Sequence, residues 1–196
     1  MTLTLVSRNE HKARELRAAL PGWTVELLSG GPLPEETGET FYENARAKAE
    51  FGSGRIGGKG WVAGEDSGLE VDALGGRPGI RSARYAGEHA PDAENVAKLL
   101  RELEGVPSAS RTARYVCELV CLGPGGEELR GSGTLEGAIA EAPHGEGGFG
   151  YDPVFVPAGE SRTVAELGDA WKAEVSHRAR AARALAALFR ARSQAL

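Results

Sequence analysis

Two adjacent carboxylates, Glu65 and Asp66, follow the apolar segment Trp61-Val62-Ala63 and precede Ser67-Gly68. Carboxylates at the end of a strand can hold a hard divalent cation or take a proton from water. Acidic residues also populate turns for conformational reasons alone, so the pair is only suggestive by itself. Successive strand residues point to opposite faces, so one of the two should face a site directly. Ser67 and Gly68 read as a turn that brings backbone N–H groups near a ligand.

Three basic or glycine-rich segments would complement these acids. Ser7-Arg8-Asn9-Glu10-His11-Lys12 joins a strand to a helix, with Asn9 as the N-cap. The free N–H groups of the first helical turn and the Lys12 ammonium would suit a phosphate, although the same pattern also serves an ordinary capped helix. Asn44 and Lys48 lie four apart and share a helix face, either as site residues or as solvated polar ones. Glu35 and Glu36 sit in the loop before that helix, where a bent backbone can offer a carboxylate to a metal. Ser176-His177-Arg178 opens the last helix with two basic residues against the macrodipole, an arrangement that favours an anion or an electron-rich ligand edge there. Lys172 lies just upstream. Gly145-Glu146-Gly147-Gly148-Phe149-Gly150 matches G-x-G-x-x-G in form, but Tyr151-Asp152-Pro153 follows where a dinucleotide site needs a helix. A flexible loop presenting Phe149 as a stacking platform is the better reading, beside a plain glycine-rich turn.

The elements that must position these residues follow from periodicity and punctuation. Thr2 to Val6 predicts a strand, and Glu10 to Leu20 a helix burying Ala13, Leu16 and Leu20. Trp23 to Leu28 predicts a strand. A helix opens at Thr40 with the capping box Thr40-Phe41-Tyr42-Glu43, buries Phe41, Ala45 and Ala49, and ends in the glycines from Gly52 to Gly60. Asp92 to Leu103 predicts a helix capped by Asp92. Arg111 to Leu122 and Glu127 to Ala140 predict long strands joined through Gly123-Pro124-Gly125-Gly126 as a hairpin. Val154-Phe155-Val156 predicts a strand, and Ser176 opens a helix facing Ala181, Leu185, Leu188 and Phe189 inward. Alternating strands and helices that give way to a hairpin describe a mixed α/β sheet.

Composition narrows the function classes. The chain has 196 residues, 41% hydrophobic and 26% charged, enough for one large domain or two closely joined lobes. No apolar run approaches the ~20 residues needed to cross a bilayer, and the N-terminus reads as a strand, so a cytoplasmic location is expected. A net charge of −5 argues against a nucleic-acid-coating protein. Cys117 and Cys121 would lie ~13 Å apart along one strand face, too far for a disulfide. Arginine outnumbers lysine 18 to 5, which makes Lys12, Lys48 and Lys172 informative.

In their order along the chain, these segments resemble the inosine/xanthosine triphosphate pyrophosphatase family. The matching pieces are Ser7 to Lys12, Glu36-Thr37-Gly38, Thr40 to Ala45 with Lys48, and Glu65-Asp66-Ser67-Gly68-Leu69. Gly75 to Ile80 with Ser82 to Tyr85, Gly147 to Pro153, and Ser176 to Arg178 complete the series. The resemblance implies one α/β domain over residues 1–196, a long curved mixed sheet with flanking helices forming two lobes around a central cleft. It implies Mg²⁺-dependent hydrolysis of XTP, ITP or dITP to the monophosphate and pyrophosphate by a homodimer, with no nucleic-acid or membrane partner. Carried over by position, Asp66 is the general base and a metal ligand, and Glu36 is a second metal ligand. Ser7, Arg8, Asn9, Glu10, His11, Lys12 and Lys48 would hold the triphosphate, Arg8 at a position the family leaves variable. Ser67, Phe149, Gly150, Tyr151, Asp152, Lys172, His177 and Arg178 would line the nucleotide. The family usually has two aspartates before Ser-Gly, and this chain departs from it at Glu65. A sensor that kept the phosphate site without chemistry would be expected to lack a catalytic carboxylate, and Glu36 and Asp66 are both present.

Overall fold

The computed structural model of the protein describes residues 1–194. Its elements are β1 (Thr2–Val6), α1 (Glu10–Ala19), β2 (Thr24–Leu27), α2 (Phe41–Arg55), β3 (Trp61–Val71), α3 (Asp92–Glu102), β4 (Thr112–Leu122), β5 (Glu128–Ile139), β6 (Phe155–Pro157), α4 (Val164–Val175) and α5 (His177–Gln194). The six strands form one sheet in the order β2-β1-β3-β4-β5-β6. Strand β1 pairs in parallel with β2 and β3, whereas β5 and β6 are antiparallel, so the sheet is mixed as expected. The expected hairpin turn closes between Gly123 and Glu127, where the Gly123 N–H donates to the Glu127 carbonyl at 2.9 Å.

The chain divides into two compact units. The first holds Met1–Asp66, Cys117–Gly133 and the segment from His177 onward; the second holds Ser67–Val116 and Thr134–Ser176. Each has its own core. In the first, Leu3 and Leu5 of β1, Leu16 of α1, Leu119 of β4, and Leu185 and Phe189 of α5 pack together. In the second, Leu69 of β3, Leu99 of α3, Tyr115 of β4 and Phe155 of β6 do so. Both cysteines are buried on β4 as free thiols within the first core.

Local chemistry explains the helix starts that the pattern anticipates. The Asn9 side chain accepts from the Lys12 N–H at 3.2 Å, and Thr40 and Glu43 close a reciprocal capping box on α2. Four expectations need correction. The Glu65-Asp66-Ser67-Gly68 segment is no turn, because β3 runs unbroken from Trp61 to Val71 and carries both acids mid-strand. Asp92 does not cap α3; Pro91 occupies the cap position, and the Asp92 carboxylate instead accepts from the Gly150 N–H at 2.6 Å. Leu188 is 40% exposed rather than facing inward. Helix α4 is absent from the pattern-based reading because Gly168 (φ 82°) breaks its period, although a Thr163–Glu166 capping box marks its start.

Candidate active site

Helix α2 meets β3 where Gly64 has no side chain. A Cβ there would fall on the Ala45 carbonyl oxygen and crowd Ala49 and Lys48, so only glycine lets the helix lie this close. The next two residues therefore enter the buried ground beside α2, and the alternation of the strand sends them to different partners.

Asp66 faces α2. Its Oδ1 receives the Lys48 ammonium at 3.1 Å, and its Oδ2 receives the Asn44 amide at 3.1 Å. The Lys48 Nζ also lies 2.5 Å from Glu36 Oε1 and 3.1 Å from the Glu65 backbone carbonyl. Asn44 spends its Oδ1 on the Gly38 N–H at 2.8 Å, which ties the Glu36 loop to the start of α2. Sequence periodicity places Asn44 next to the buried stripe but leaves its role open. The structure makes it the residue that fixes the Asp66 carboxylate. Burial raises the Asp66 pKa above the ordinary carboxylate value, against the opposing pull of Lys48 and Lys12. For Lys48, burial works against the charge, but Asp66 and Glu36 outweigh it and hold the amine protonated.

Glu65 faces the other way. Its Oε2 lies 2.7 Å from Lys12 Nζ, and its Oε1 accepts from Arg178 at 3.0 Å. The Cys117 thiol stands 3.5 Å from the same Oε1. Lys12 and Arg178 overcome the cost of burial and hold the Glu65 carboxyl well below its usual range. Arg178 is almost wholly buried, and its Nη1 also pairs with Glu15. The basic start of α5 thus faces anions supplied by the chain itself. Glu15 escapes sequence reasoning because a partly exposed helical glutamate carries no local signal.

The described residues of the second unit gather a different set. Asp152 accepts from Lys172 at 2.7 Å and from the Phe149 N–H at 2.9 Å through Oδ2, and from the Tyr115 hydroxyl at 3.2 Å through Oδ1. The Lys172 ammonium sits 4.6 Å from the Phe149 ring centroid, close enough for a cation–π contact. Gly148, at φ +78°, is required here: a Cβ would collide with the Asp152 carboxylate. Tyr151 is buried with its hydroxyl on the Ser82 carbonyl at 2.8 Å, and Gly150 is held by Asp92. The glycine segment is a loop and opens no helix, which agrees with rejecting a dinucleotide fingerprint.

The structure therefore gathers Lys12, Glu36, Lys48, Asp66 and Arg178 in the first unit and Phe149 to Asp152 with Lys172 in the second. Ser67 is half-buried in mid-β3, and His177 is buried in the first turn of α5. Ser7 accepts from the Asn9 N–H at 3.0 Å and so shapes the loop before α1. Arg8, Glu10 and His11 are exposed; the Arg8 guanidinium rests on the Gly31 carbonyl and Glu10 pairs with Arg17.

Among the described residues no three acidic, histidine or cysteine side chains form a metal-binding group. The donor chemistry still suits a small hard cation. Glu36 and Asp66 are two carboxylates already converging on one ammonium, and Mg²⁺ typically takes one or two carboxylates and completes its shell with water and phosphate.

The similarities to known proteins are extensive. The family model described as "Ham1 family" matches residues 3–188. A dITP/XTP pyrophosphatase of Geobacillus kaustophilus is 50% identical over 184 residues, covering 91% of this chain and 89% of that protein. One from Bacillus licheniformis is 49% identical over 193 residues, covering 94% and 96%. The Staphylococcus aureus Ham1 protein superposes with a TM-score of 0.86 at 38% identity, covering 98% of this chain and 100% of that one. A HAM1 protein from Coxiella burnetii gives 0.86 at 35% identity, covering 96% and 98%. With the family model matching residues 3–188 and relatives about half identical over nearly their whole length, this chain belongs to the Ham1 family.

Proposed function

We propose that the protein hydrolyses non-standard purine nucleoside triphosphates, XTP, ITP and dITP, to the monophosphate and pyrophosphate, removing them from the nucleotide pool. The observation that carries this reading is the buried Asp66, its carboxylate fixed by Asn44 and Lys48 beside Glu36. The half-identical relatives that bear the name dITP/XTP pyrophosphatase support it.

Asp66 is the general base. Burial raises its pKa, which makes the carboxylate a better proton acceptor than one in water. A water oxygen bonds to the α-phosphorus, its proton passes to Asp66, and the bond to the bridging oxygen breaks to release pyrophosphate. Lys12 and Lys48 stabilise charge on the departing phosphates. Glu36 and Asp66 would hold Mg²⁺, which when bound neutralises phosphate oxygens and lowers the pKa of coordinated water.

In the same reading, the second unit recognises the base. Phe149 offers a ring for stacking, and Lys172, Asp152 and the backbone of residues 149–151 offer polar partners. A 6-oxo purine accepts at position 6 and donates at position 1, and adenine reverses both. Fixed donors left unpaired against adenine can support discrimination of ~10⁴. Arg178, which the resemblance sets against the nucleotide, pairs with Glu65 and Glu15 in this structure and remains in this reading a residue that lines the nucleotide. A homodimer in the cytoplasm belongs to this reading as well, and light scattering of the purified protein tests the dimer. No helix among the described residues is long and apolar enough to cross a membrane.

The deciding experiment measures pyrophosphate release with Mg²⁺ from XTP, ITP, dITP, GTP and ATP. Release from the first three far above the last two is expected. Orthophosphate as the product, or tight ITP binding without release, would replace this reading by a phosphatase or a sensor.

A further inference from the structure

Three oxygens converge on the Lys48 ammonium: Glu36 Oε1, Asp66 Oδ1 and the Glu65 carbonyl. Two carboxylates and a carbonyl are the hard donors that a divalent cation selects. Here a three-donor cation of the chain's own fills them, and its side chain is only 9% exposed. The Asp66 oxygen that receives it is one of only two on the proposed base, and Asn44 occupies the other.

We infer that Lys48 is a built-in placeholder for the divalent cation, ejected from the Glu36–Asp66 pair when the cation binds. This rests on the functional reading above and deepens it, because the ejected ammonium is then available to the triphosphate. The physical case is one of exclusion. A doubly charged ion between Glu36 and Asp66 would stand within a few ångströms of the ammonium. Their mutual repulsion in this largely buried setting is only weakly screened by water. The two cations also compete for the same carboxylate oxygens, and a lysine on a flexible four-carbon stem can swing away where an arginine fork would be held. The exchange involves no covalent step.

The test titrates Mn²⁺ into the nucleotide-free protein by calorimetry and needs no turnover. Lys48→Ala should bind Mn²⁺ about tenfold or more tightly than the parent, because the competing cation is gone. Lys48→Arg, which keeps the charge, should show no such gain. A second arm uses the unaltered protein: reductive methylation with labelled formaldehyde, with and without Mg²⁺, read peptide by peptide across the five lysines (Lys12, Lys48, Lys59, Lys98 and Lys172). Modification of Lys48 should accelerate on adding Mg²⁺, while exposed Lys59 serves as the unchanged control. Equal or weaker Mn²⁺ binding by Lys48→Ala, or none detectable, overturns the placeholder. Tighter binding without metal-dependent labelling overturns it too, since through-space charge would then account for the gain. Failure of the parent protein to release pyrophosphate from ITP would remove the hydrolase reading and leave both metal arms to stand on their own.

Discussion

The two units organise buried charge in opposite ways. In the first, four carboxylates (Glu15, Glu36, Glu65 and Asp66) are linked through three cations (Lys12, Lys48 and Arg178). In the second, one carboxylate, Asp152, meets one cation, Lys172, beside an aromatic ring and a backbone amide. The first interlocks carboxylates and cations that are mostly buried, and buried charge of this kind is stable only if paired. The second is directional, with a carboxylate, a cation and an aromatic face set side by side. In our reading, chemistry on a polyanion with a metal belongs to the first arrangement, and choice among bases to the second. In each, a lysine lies where our reading puts a ligand group: Lys48 on the metal carboxylates and Lys172 near the Phe149 ring.

The sharpest way to break this division is Asp66→Asn. It keeps the shape of the side chain and removes the base, so pyrophosphate release from ITP should fall by about 10²- to 10⁴-fold, while ITP binding by calorimetry persists. Surviving turnover would move the chemistry elsewhere. The same assignment has a pH signature: because burial raises the Asp66 pKa, kcat/KM should fall on the acid side above the ordinary carboxylate range.

Glu65→Gln tests the network rather than the reaction. It strands Lys12 and Arg178 beside a neutral amide, and loss of one partner from a buried pair costs about 3–5 kcal/mol. Chemical denaturation at neutral pH reads this directly. Because the folded-state pKa of Glu65 is depressed, its stabilisation is complete above the unfolded value and is lost as pH falls through the folded one. The gap between parent and variant should therefore be constant near neutrality and narrow below the ordinary glutamate value of 4.5. A gap unchanged down to the acid transition would contradict the pairing.

Phe149→Ala sharpens the comparison from the other side. Base stacking on an aromatic ring is worth about 1–3 kcal/mol, so kcat/KM for ITP should drop by roughly 5- to 150-fold. Hydrolysis of inorganic tripolyphosphate, which has no base, should be unaffected if the parent enzyme cleaves it; equal losses on both would dissolve the division. The smallest effect belongs to Arg8→Ala. The side chain is exposed and rests on the Gly31 carbonyl, so stability by thermal melting should change within about 0.5 kcal/mol.

Much of the frame was legible in the chain itself. Asn9 and the Thr40–Glu43 box mark helix starts through short-range hydrogen bonds, and such signals depend only on neighbours in sequence. The Cys117–Cys121 spacing excluded a disulfide through strand geometry alone. The residues that escaped did so for physical reasons. A continuous β3 was misread as a turn because Gly64 and Gly68 look like punctuation, whereas Gly64 is there to admit α2. Helix α4 was hidden by a glycine that breaks its period. Asn44 carries no mark distinguishing a solvated amide from one that fixes a buried carboxylate 22 residues away.

What the sequence by itself determined is most of the elements, the order of the chemical segments, and through that order the family. Those properties reside in local spacing, which survives without coordinates. Only the tertiary structure decided the partnerships: Glu65 with Lys12 and Arg178, Asp66 with Asn44 and Lys48, and Asp152 with Lys172. Alternation along a strand says that adjacent acids face apart, but what each one faces depends on helices folded in from distant parts of the chain. Burial raises the proton affinity of both acids; it prevails at Asp66, whereas Lys12 and Arg178 override it at Glu65, which they hold between them.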